Sequence, residues 1–169
     1  LVVVDPARTR TAERADLHLA VRPGTDALLL FALVHTLADE GLVDVGDHLR
    51  EHVTGVEEVL ALATAFAPER AAAACGIEAG AIRSLARALA AADRAVVYGR
   101  LGTSTVAFGT TTSWLVDVVN VLTGNLDRPG GAMFPLPAHH RPRRRPFRHA
   151  RRHSRVRGLP EAIGEFPVA

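Results

Sequence analysis

Two short polar clusters near the start of the chain hold the side chains best suited to chemistry. Asp5, Arg8 and Thr9 fall within five residues, and Gly24, Thr25 and Asp26 are contiguous. A carboxylate offers several acceptor sites, a guanidinium pairs with oxyanions as a fork, and a hydroxyl both donates and accepts. Glycine lets a ligand approach the backbone closely. Gly99 and Gly102, on a later loop, likewise permit close backbone approach. Such groups suit the binding of an anionic ligand. No residue of the chain can be named as catalytic.

The elements around the clusters would bring them together. Leu1 to Val4 is an apolar, β-branched run without a polar face, as in a strand of a parallel sheet buried on both sides. Asp5-Pro6 ends it, since proline lacks an N–H for the ladder. A turn and short helix through residues 6–15 would lead to a second strand, Leu17 to Val21. Arg22-Pro23-Gly24-Thr25-Asp26 then opens a long apolar helix, Ala27 to Glu40, which Thr25 or Asp26 can cap. Both loops leave the carboxyl ends of neighbouring strands, where open α/β sheets bind nucleotides. The bland alternative makes Asp5-Pro6 a turn and Asp26 only a cap.

Gly41 is placed as the C′ residue of that helix, with Leu42 supplying the accompanying apolar contact. Val43 to His52 and Gly55 to Ala65 read as short helices, the second begun by Thr54 and Glu57-Glu58. Pro68 fits the first turn of another. Ile82, Leu85, Ala86 and Leu89 recur at helical spacing within Glu78 to Ala91, opposite Arg83 and Arg87. Ala95 to Tyr98 reads as a third short strand, followed by a glycine-containing loop. Thr103 to Thr112 is strand-like by propensity. Farther on, Ser113, Asp117 and Asn120 form a polar helical face opposite Leu115, Val118, Val119 and Leu122, so a helix from about Val106 to Leu122 is preferred. The fold expected is therefore α/β: a three-layer unit with a short, mostly parallel sheet flanked by helices.

Composition narrows the class. The 169 residues are 48% hydrophobic and 22% charged, enough for one domain core. All 20 basic residues are Arg, which suggests a G+C-rich coding sequence. Residues 1–137 hold 11 Arg against 16 acids, a net charge of −5, whereas residues 138–169 hold 9 Arg against 2 acids, a net charge of +7. The second part, beginning AHHRPRRRPFRHARRHSR, has little to bury and strong self-repulsion, so a disordered tail is expected. A locally shifted reading frame would produce such text. The chain opens in mid-strand and its sole methionine is Met133, which reads as a fragment. No secretory signal pattern or apolar run of about 20 residues is present, so a cytoplasmic setting without membrane contact is expected. Cys75, the single cysteine, lacks the electropositive surroundings of a reactive thiol and reads as a core residue. His48 and His52 could share a helix face, but two ligands without a third make a poor metal site.

The wording of the chain adds to this. Residues 2–30, VVVDPARTRTAERADLHLAVRPGTDALLL, resemble the segment of molybdopterin oxidoreductases that holds a guanine dinucleotide cofactor. This superfamily includes dimethyl sulfoxide reductase, formate dehydrogenase and nitrate reductase. Tyr98 to Gly131, YGRLGTSTVAFGTTTSWLVDVVNVLTGNLDRPGG, resembles a second signature of the same family. The resemblance covers most of residues 1–137 and implies part of a larger multidomain catalytic subunit. It implies molybdopterin guanine dinucleotide, with molybdenum, as the cofactor. Carried over position by position, it nominates Asp5, Arg8, Thr9, Gly24, Thr25 and Asp26 at the nucleotide end. Arg100, Leu101, Gly102 and Thr105 follow on the later loop, although many relatives carry a longer amide side chain at the position of Thr105. Asn125, Arg128 and Pro129-Gly130-Gly131 match family words whose expected role is to shape the chain.

The resemblance places the metal ligand, any iron–sulfur cluster and the remaining cofactor-binding domain outside this chain. The partners it implies are the cofactor, the rest of the catalytic subunit and an electron-transfer subunit. The parent reaction would be a two-electron or oxygen-atom transfer at molybdenum on a formate- or nitrate-type substrate. Two other readings compete: a non-catalytic α/β remnant, and sequence-independent nucleic-acid binding through the Arg-rich tail. Within the tail only Phe147 interrupts the run of charge as an aromatic, and there is no base-reading motif, so no specific nucleic acid is expected.

Overall fold

Val2–Val4 forms strand β1 and Leu17–Leu19 forms strand β2, paired in parallel with Val2 opposite Leu17 and Val4 opposite Leu19. They belong to a computed structural model that describes residues 1–133, 152–155 and 157–161. Pro6 stops β1, and the Asp5 carboxylate accepts a hydrogen bond from the Ala7 N–H at 2.8 Å, closing a turn. Thr9 continues it: its carbonyl accepts from the Glu13 N–H and its hydroxyl from the Ala12 N–H, winding Ala12–Arg14 into one 3-10 turn. His18 Nε2 donates to the Asp5 carbonyl at 2.8 Å, tying the strand ends together. β2 stops two residues short of the expected Val21. β1 is not buried on both sides either, for Val2 and Val4 are 38% and 37% exposed. Its second edge has no strand beside it among the described residues.

The core is built around helix α1, Asp26–Asp39. Ala32, Leu33, Val34 and Leu37 are almost wholly buried, and the one buried hydroxyl on this helix, that of Thr36, donates to the Ala32 carbonyl. α1 packs against α3 (Val56–Ala63), α4 (Pro68–Cys75), α5 (Ala79–Ala91) and α7 (Gly109–Leu122). A helix touched on so many sides has to be apolar around most of its circumference, as this one is. It ends as its sequence implies: Gly41 adopts φ +65°, and the Leu42 and Gly41 N–H groups donate to the Leu37 and Ala38 carbonyls.

Its start departs from expectation. Neither Thr25 nor Asp26 caps the helix with its side chain. The Thr25 hydroxyl turns back to donate to the Arg22 carbonyl at 2.7 Å, because the preceding turn leaves that acceptor closer. The helix expected over Val43 to His52 shrinks to α2, Asp47–Arg50. Asp44 explains this: its N–H donates to the Leu122 carbonyl and its carboxylate accepts from the Gly46 N–H, holding the chain in a turn. Gly55, not Thr54, precedes α3. Pro68 occupies the first turn of α4 as expected.

α5 presents Ile82 and Ala86 to the core and half-buries Leu85 and Leu89. Its outer face forms ion pairs, Arg83 with Glu69 and Arg87 with Glu40. After it, the strand expected at Ala95 to Tyr98 is absent. The segment is instead bound by two asparagine side chains, each 1% exposed. The Val97 N–H donates to Asn120 Oδ1, Asn120 Nδ2 donates to the Val97 carbonyl, and the Ala95 N–H donates to Asn125 Oδ1. Asn120 therefore does not belong to a solvated face with Ser113 and Asp117. A short helix α6, Leu101–Ser104, follows, then α7. α7 starts at Gly109 rather than Val106, and a Cβ at residue 109 would collide with the Ser104 carbonyl. Helical periodicity nevertheless overrides the strand propensity of Thr110 to Thr112.

Asn125, Arg128 and the glycine turn shape the chain. Arg128 donates to the Asp93 carbonyl at 3.0 Å, and the Asn125 carbonyl accepts from the Ala132 N–H at 2.8 Å. Contacts divide the chain into Leu1–Phe134 and Pro135–Ala169. Within the second unit, disorder expected over residues 138–151, 156 and 162–169 falls outside the described residues. The described part makes a tight turn: His153 bridges Pro160 in antiparallel fashion, and Arg152 pairs with the buried Glu161 at 2.7 Å.

Candidate cofactor-binding site

A cleft of about 620 Å³ lies between β1 and residues 95–99, lined also by leucines of α1 and α5. Its lining takes in Val4 with Asp26, and Tyr98-Gly99 with Thr103. The carboxyl ends of β1 and of the extended segment thus contribute to one opening, where a loop ligand site on an α/β sheet is expected.

Asp26 is the nominated residue that lines this cleft. Its carboxylate is half-buried in the first turn of α1 and makes no hydrogen bond or ion pair among the described residues. A helix N-terminus favours a negative charge there, so the acceptor is held ready without being consumed. Gly24, two residues earlier, has φ +80° and no heavy atom within 4 Å of where a Cβ would stand. The loop holding them is clamped from behind: Arg22 donates to the Ala74 carbonyl at 2.9 Å, and its N–H donates to the Cys75 carbonyl.

Asp5, Arg8, Thr9, Gly24, Thr25, Arg100, Leu101, Gly102 and Thr105 do not line the cleft. Their states differ. The guanidinium groups of Arg8 and Arg100 are exposed and have no partner among the described residues. Gly102 is open to solvent, its missing side chain facing empty space to 4 Å, and Leu101 is 75% exposed. The hydroxyl protons of Thr25 and Thr105 are committed to the Arg22 and Leu101 carbonyls, which leaves only their lone pairs outward. Thr103, which the sequence placed merely in a β-branched stretch, lines the cleft and donates to the Arg100 carbonyl at 2.7 Å. Its signal was present as a Ser/Thr turn three residues after Arg100.

Cys75 lies behind this loop. It is buried, and its thiol donates to the Thr25 carbonyl at 3.6 Å. Burial pushes the thiol pKa up, which is the opposite of an activated nucleophile. His48 Nε2 donates to the Leu126 carbonyl, so its ring fastens a loop. Among the described residues, no group of three or more His, Cys, Asp and Glu could hold a metal ion. The nominated groups that remain free are one carboxylate, two guanidiniums and two unobstructed glycines. A carboxylate can accept hydrogen bonds and a guanidinium can pair with an oxyanion, but of these groups only Asp26 lies on the cleft.

A family model described as molybdopterin oxidoreductase matches residues 1–158. The chain belongs to the molybdopterin oxidoreductase family. It is 30% identical to formate dehydrogenase H of Escherichia coli and 31% identical to a nitrate reductase of Synechocystis, each over 80% of this chain and 19% of the relative. It is 27% identical to an F420-dependent formate dehydrogenase subunit alpha of Methanocaldococcus jannaschii, again over 80% of this chain and 20% of the relative. Among solved structures, acetylene hydratase from Pelobacter acetylenicus superposes with a TM-score of 0.69 at 27% identity, covering 78% of this chain and 18% of the other. This molybdopterin oxidoreductase segment therefore spans about a fifth of the length of the relatives it matches. No helix among its described residues is long and apolar enough to cross a membrane.

Proposed function

We propose that residues 1–137 form part of the cofactor-holding domain of a molybdopterin-dependent oxidoreductase, and that the cofactor is the guanine dinucleotide form. The observation that carries this reading is Asp26: a half-buried carboxylate, without a partner among the described residues and not used as a cap, on a cleft at the carboxyl end of a parallel strand. A carboxylate in that state can accept two hydrogen bonds from a guanine edge. Arg8 and Arg100 would pair with the pyrophosphate, and Gly24 and Gly102 would let backbone N–H groups approach it. Asp5, Thr9, Thr25, Leu101 and Thr105 shape the two loops that present those groups.

The relatives point the same way. Formate dehydrogenases, nitrate reductases and an acetylene hydratase share this segment, although their named substrates have little in common. A segment common to all of them suits holding a common cofactor better than recognising any one substrate. When bound, molybdenum supplies the two-electron or oxygen-atom transfer, and the protein supplies binding and orientation. The parent enzyme would act on a formate- or nitrate-type substrate. The metal ligand, any iron–sulfur cluster and the contact with an electron-transfer subunit fall to the rest of the polypeptide.

Asp26→Asn in the complete enzyme tests the reading. It keeps the size of the side chain but turns one acceptor into a donor facing a donor. The loss should be about 1–3 kcal/mol of cofactor binding, as for an unmatched charge-assisted hydrogen bond. Molybdenum and guanine content should fall while the folded fraction barely changes. Unchanged content with a lowered melting temperature would contradict it.

A further inference from the structure

One residue, Arg22, holds most of the carbonyl end of α4. The last turn of an α-helix leaves its C=O groups without partners inside the helix. In α4 the Ala72 carbonyl accepts from the Gly76 N–H at 2.8 Å, where Gly76 turns the chain at φ +76°. Arg22 takes the carbonyls that remain. Its guanidinium Nη1 donates to Ala74 at 2.9 Å and reaches Ala73 at 3.4 Å, 52 and 51 positions away. Its backbone N–H donates to the Cys75 carbonyl at 2.8 Å. A cation suits this end of a helix, which is the negative pole of the macrodipole.

The same residue begins the turn that carries Asp26. The Arg22 carbonyl accepts from the Thr25 N–H at 3.2 Å and from the Thr25 hydroxyl at 2.7 Å. Pro23 and Gly24, the latter at φ +80°, fill the two central positions, the pattern of a type II turn. The Thr25 carbonyl then accepts from the Leu28 and Leu29 N–H groups, which open α1, and from the Cys75 thiol. Asp26 thus rides on a turn tied to α4 at both of its ends. Its own carboxylate contributes nothing to that hold, having no partner among the described residues. Arg22 is exposed and does not line the cleft, so it is not placed to touch a ligand there.

The geometry points to Arg22 as a positioning residue for the cofactor. By fixing the turn against α4, it aims the Asp26 carboxylate into the cleft before any ligand arrives. An acceptor already held in place loses less freedom on binding than one on a loose loop. The inference rests on the reading of Asp26 as a cofactor ligand, and it adds a residue that acts only through Asp26.

The test follows release of molybdenum and guanine nucleotide from the complete, cofactor-loaded enzyme at a temperature well below melting. Arg22→Met keeps the aliphatic stem but no donor. It should speed release about two- to tenfold, the effect of leaving one ligating side chain to be ordered on binding. Arg22→Lys keeps a donor for the Ala74 carbonyl and should restore most of the retention. Added to Asp26→Asn, Arg22→Met should speed release no further, because both changes act through one carboxylate. Additive effects would overturn the proposal, as would faster release that lysine does not restore and that only tracks a lowered melting temperature. Asp26→Asn that speeds release beside a silent Arg22→Met would remove the role of Arg22 alone. Asp26→Asn without effect would remove the cofactor reading, and the role of Arg22 with it.

Discussion

Asn120 grips Val97 by both of its backbone groups. The Val97 N–H donates to Asn120 Oδ1 at 2.9 Å, and Asn120 Nδ2 donates to the Val97 carbonyl at 2.8 Å. The same Nδ2 donates to the Val116 carbonyl at 2.9 Å, within α7. One side-chain amide thus replaces a neighbouring strand and fixes the depth at which residues 95–98 lie against the helix. Asn120→Asp would turn the donor of this pair into an acceptor facing two carbonyls. A buried polar group left unsatisfied costs about 1–3 kcal/mol, and more when charged. Denaturant unfolding should therefore show a loss of at least about 2 kcal/mol. A loss below about 0.5 kcal/mol would mean that residues 95–98 are held by something other than this amide.

Gly131 should tolerate no side chain. A Cβ there would strike the carbonyl of Asn125, whose oxygen is already occupied by the Ala132 N–H. Backbone on both sides cannot yield as a flexible side chain would. Gly131→Ala is expected to destabilise by about 1–3 kcal/mol, the usual range for overpacking. An unchanged melting temperature would show that the loop after Asn125 has room to shift.

Stability should fall in acid partly through Glu40 and Glu69. Hydrogen bonds from Arg87 hold the Glu40 carboxyl below the ordinary glutamate range, and those from Arg83 do the same for Glu69. A carboxyl with a lower pKa folded than unfolded stabilises the fold above the unfolded value, about 4.3, and loses that contribution as pH drops through the folded value. Arg87→Gln should remove the Glu40 share, so its melting curve should converge on the wild type in acid and lie below it near neutrality. Parallel curves across the whole range would rule the pair out. Added salt should shrink the difference, since the guanidinium of Arg87 is exposed.

Cys75 should be inert. It is wholly buried, and burial raises its thiol pKa, so little thiolate exists at neutral pH. Alkylation by iodoacetamide should proceed only as fast as the region opens. Addition of denaturant should bring the rate to that of a free cysteine. Rapid modification of the native protein would mean that α4 and the Arg22 loop separate readily.

The parts of this fold that were legible in the sequence are those whose signals are local. α1 and α5 follow from apolar spacing, and the stop at Gly41 follows from a glycine with a leucine after it. α7 was legible because Leu115, Val119 and Leu122 outvote the threonines before them. Residues 95–98 misled because strand propensity reports what a segment suits, not whether a neighbour is present. Asn120 misled because a polar residue on a helix face looks solvated until its partner, 23 positions away, is known. The place of Asp26 at the start of a helix was readable from the turn before it. Thr25 was not, since its hydroxyl chooses between the helix N–H groups and a nearer carbonyl only in three dimensions. Thr103 escaped because its place on the cleft depends on where residues 95–99 lie.

The two asparagines that hold residues 95–98 are translated after them, 23 positions later for the partner of Val97 and 30 for that of Ala95. At about 5–20 residues per second, a ribosome takes on the order of seconds to supply those anchors. Because the exit tunnel shelters the residues most recently added, Val96 and Tyr98 emerge after Asn120 has been made but before it has itself left the tunnel, while β1 and β2, only a dozen residues apart, are free to pair earlier. The interval in which this apolar stretch is exposed without its clamps therefore runs from its own emergence to the emergence of Asn120 and Asn125. Slow codons placed after Asn125 would lengthen that exposure, and slow codons placed just after Tyr98 would not.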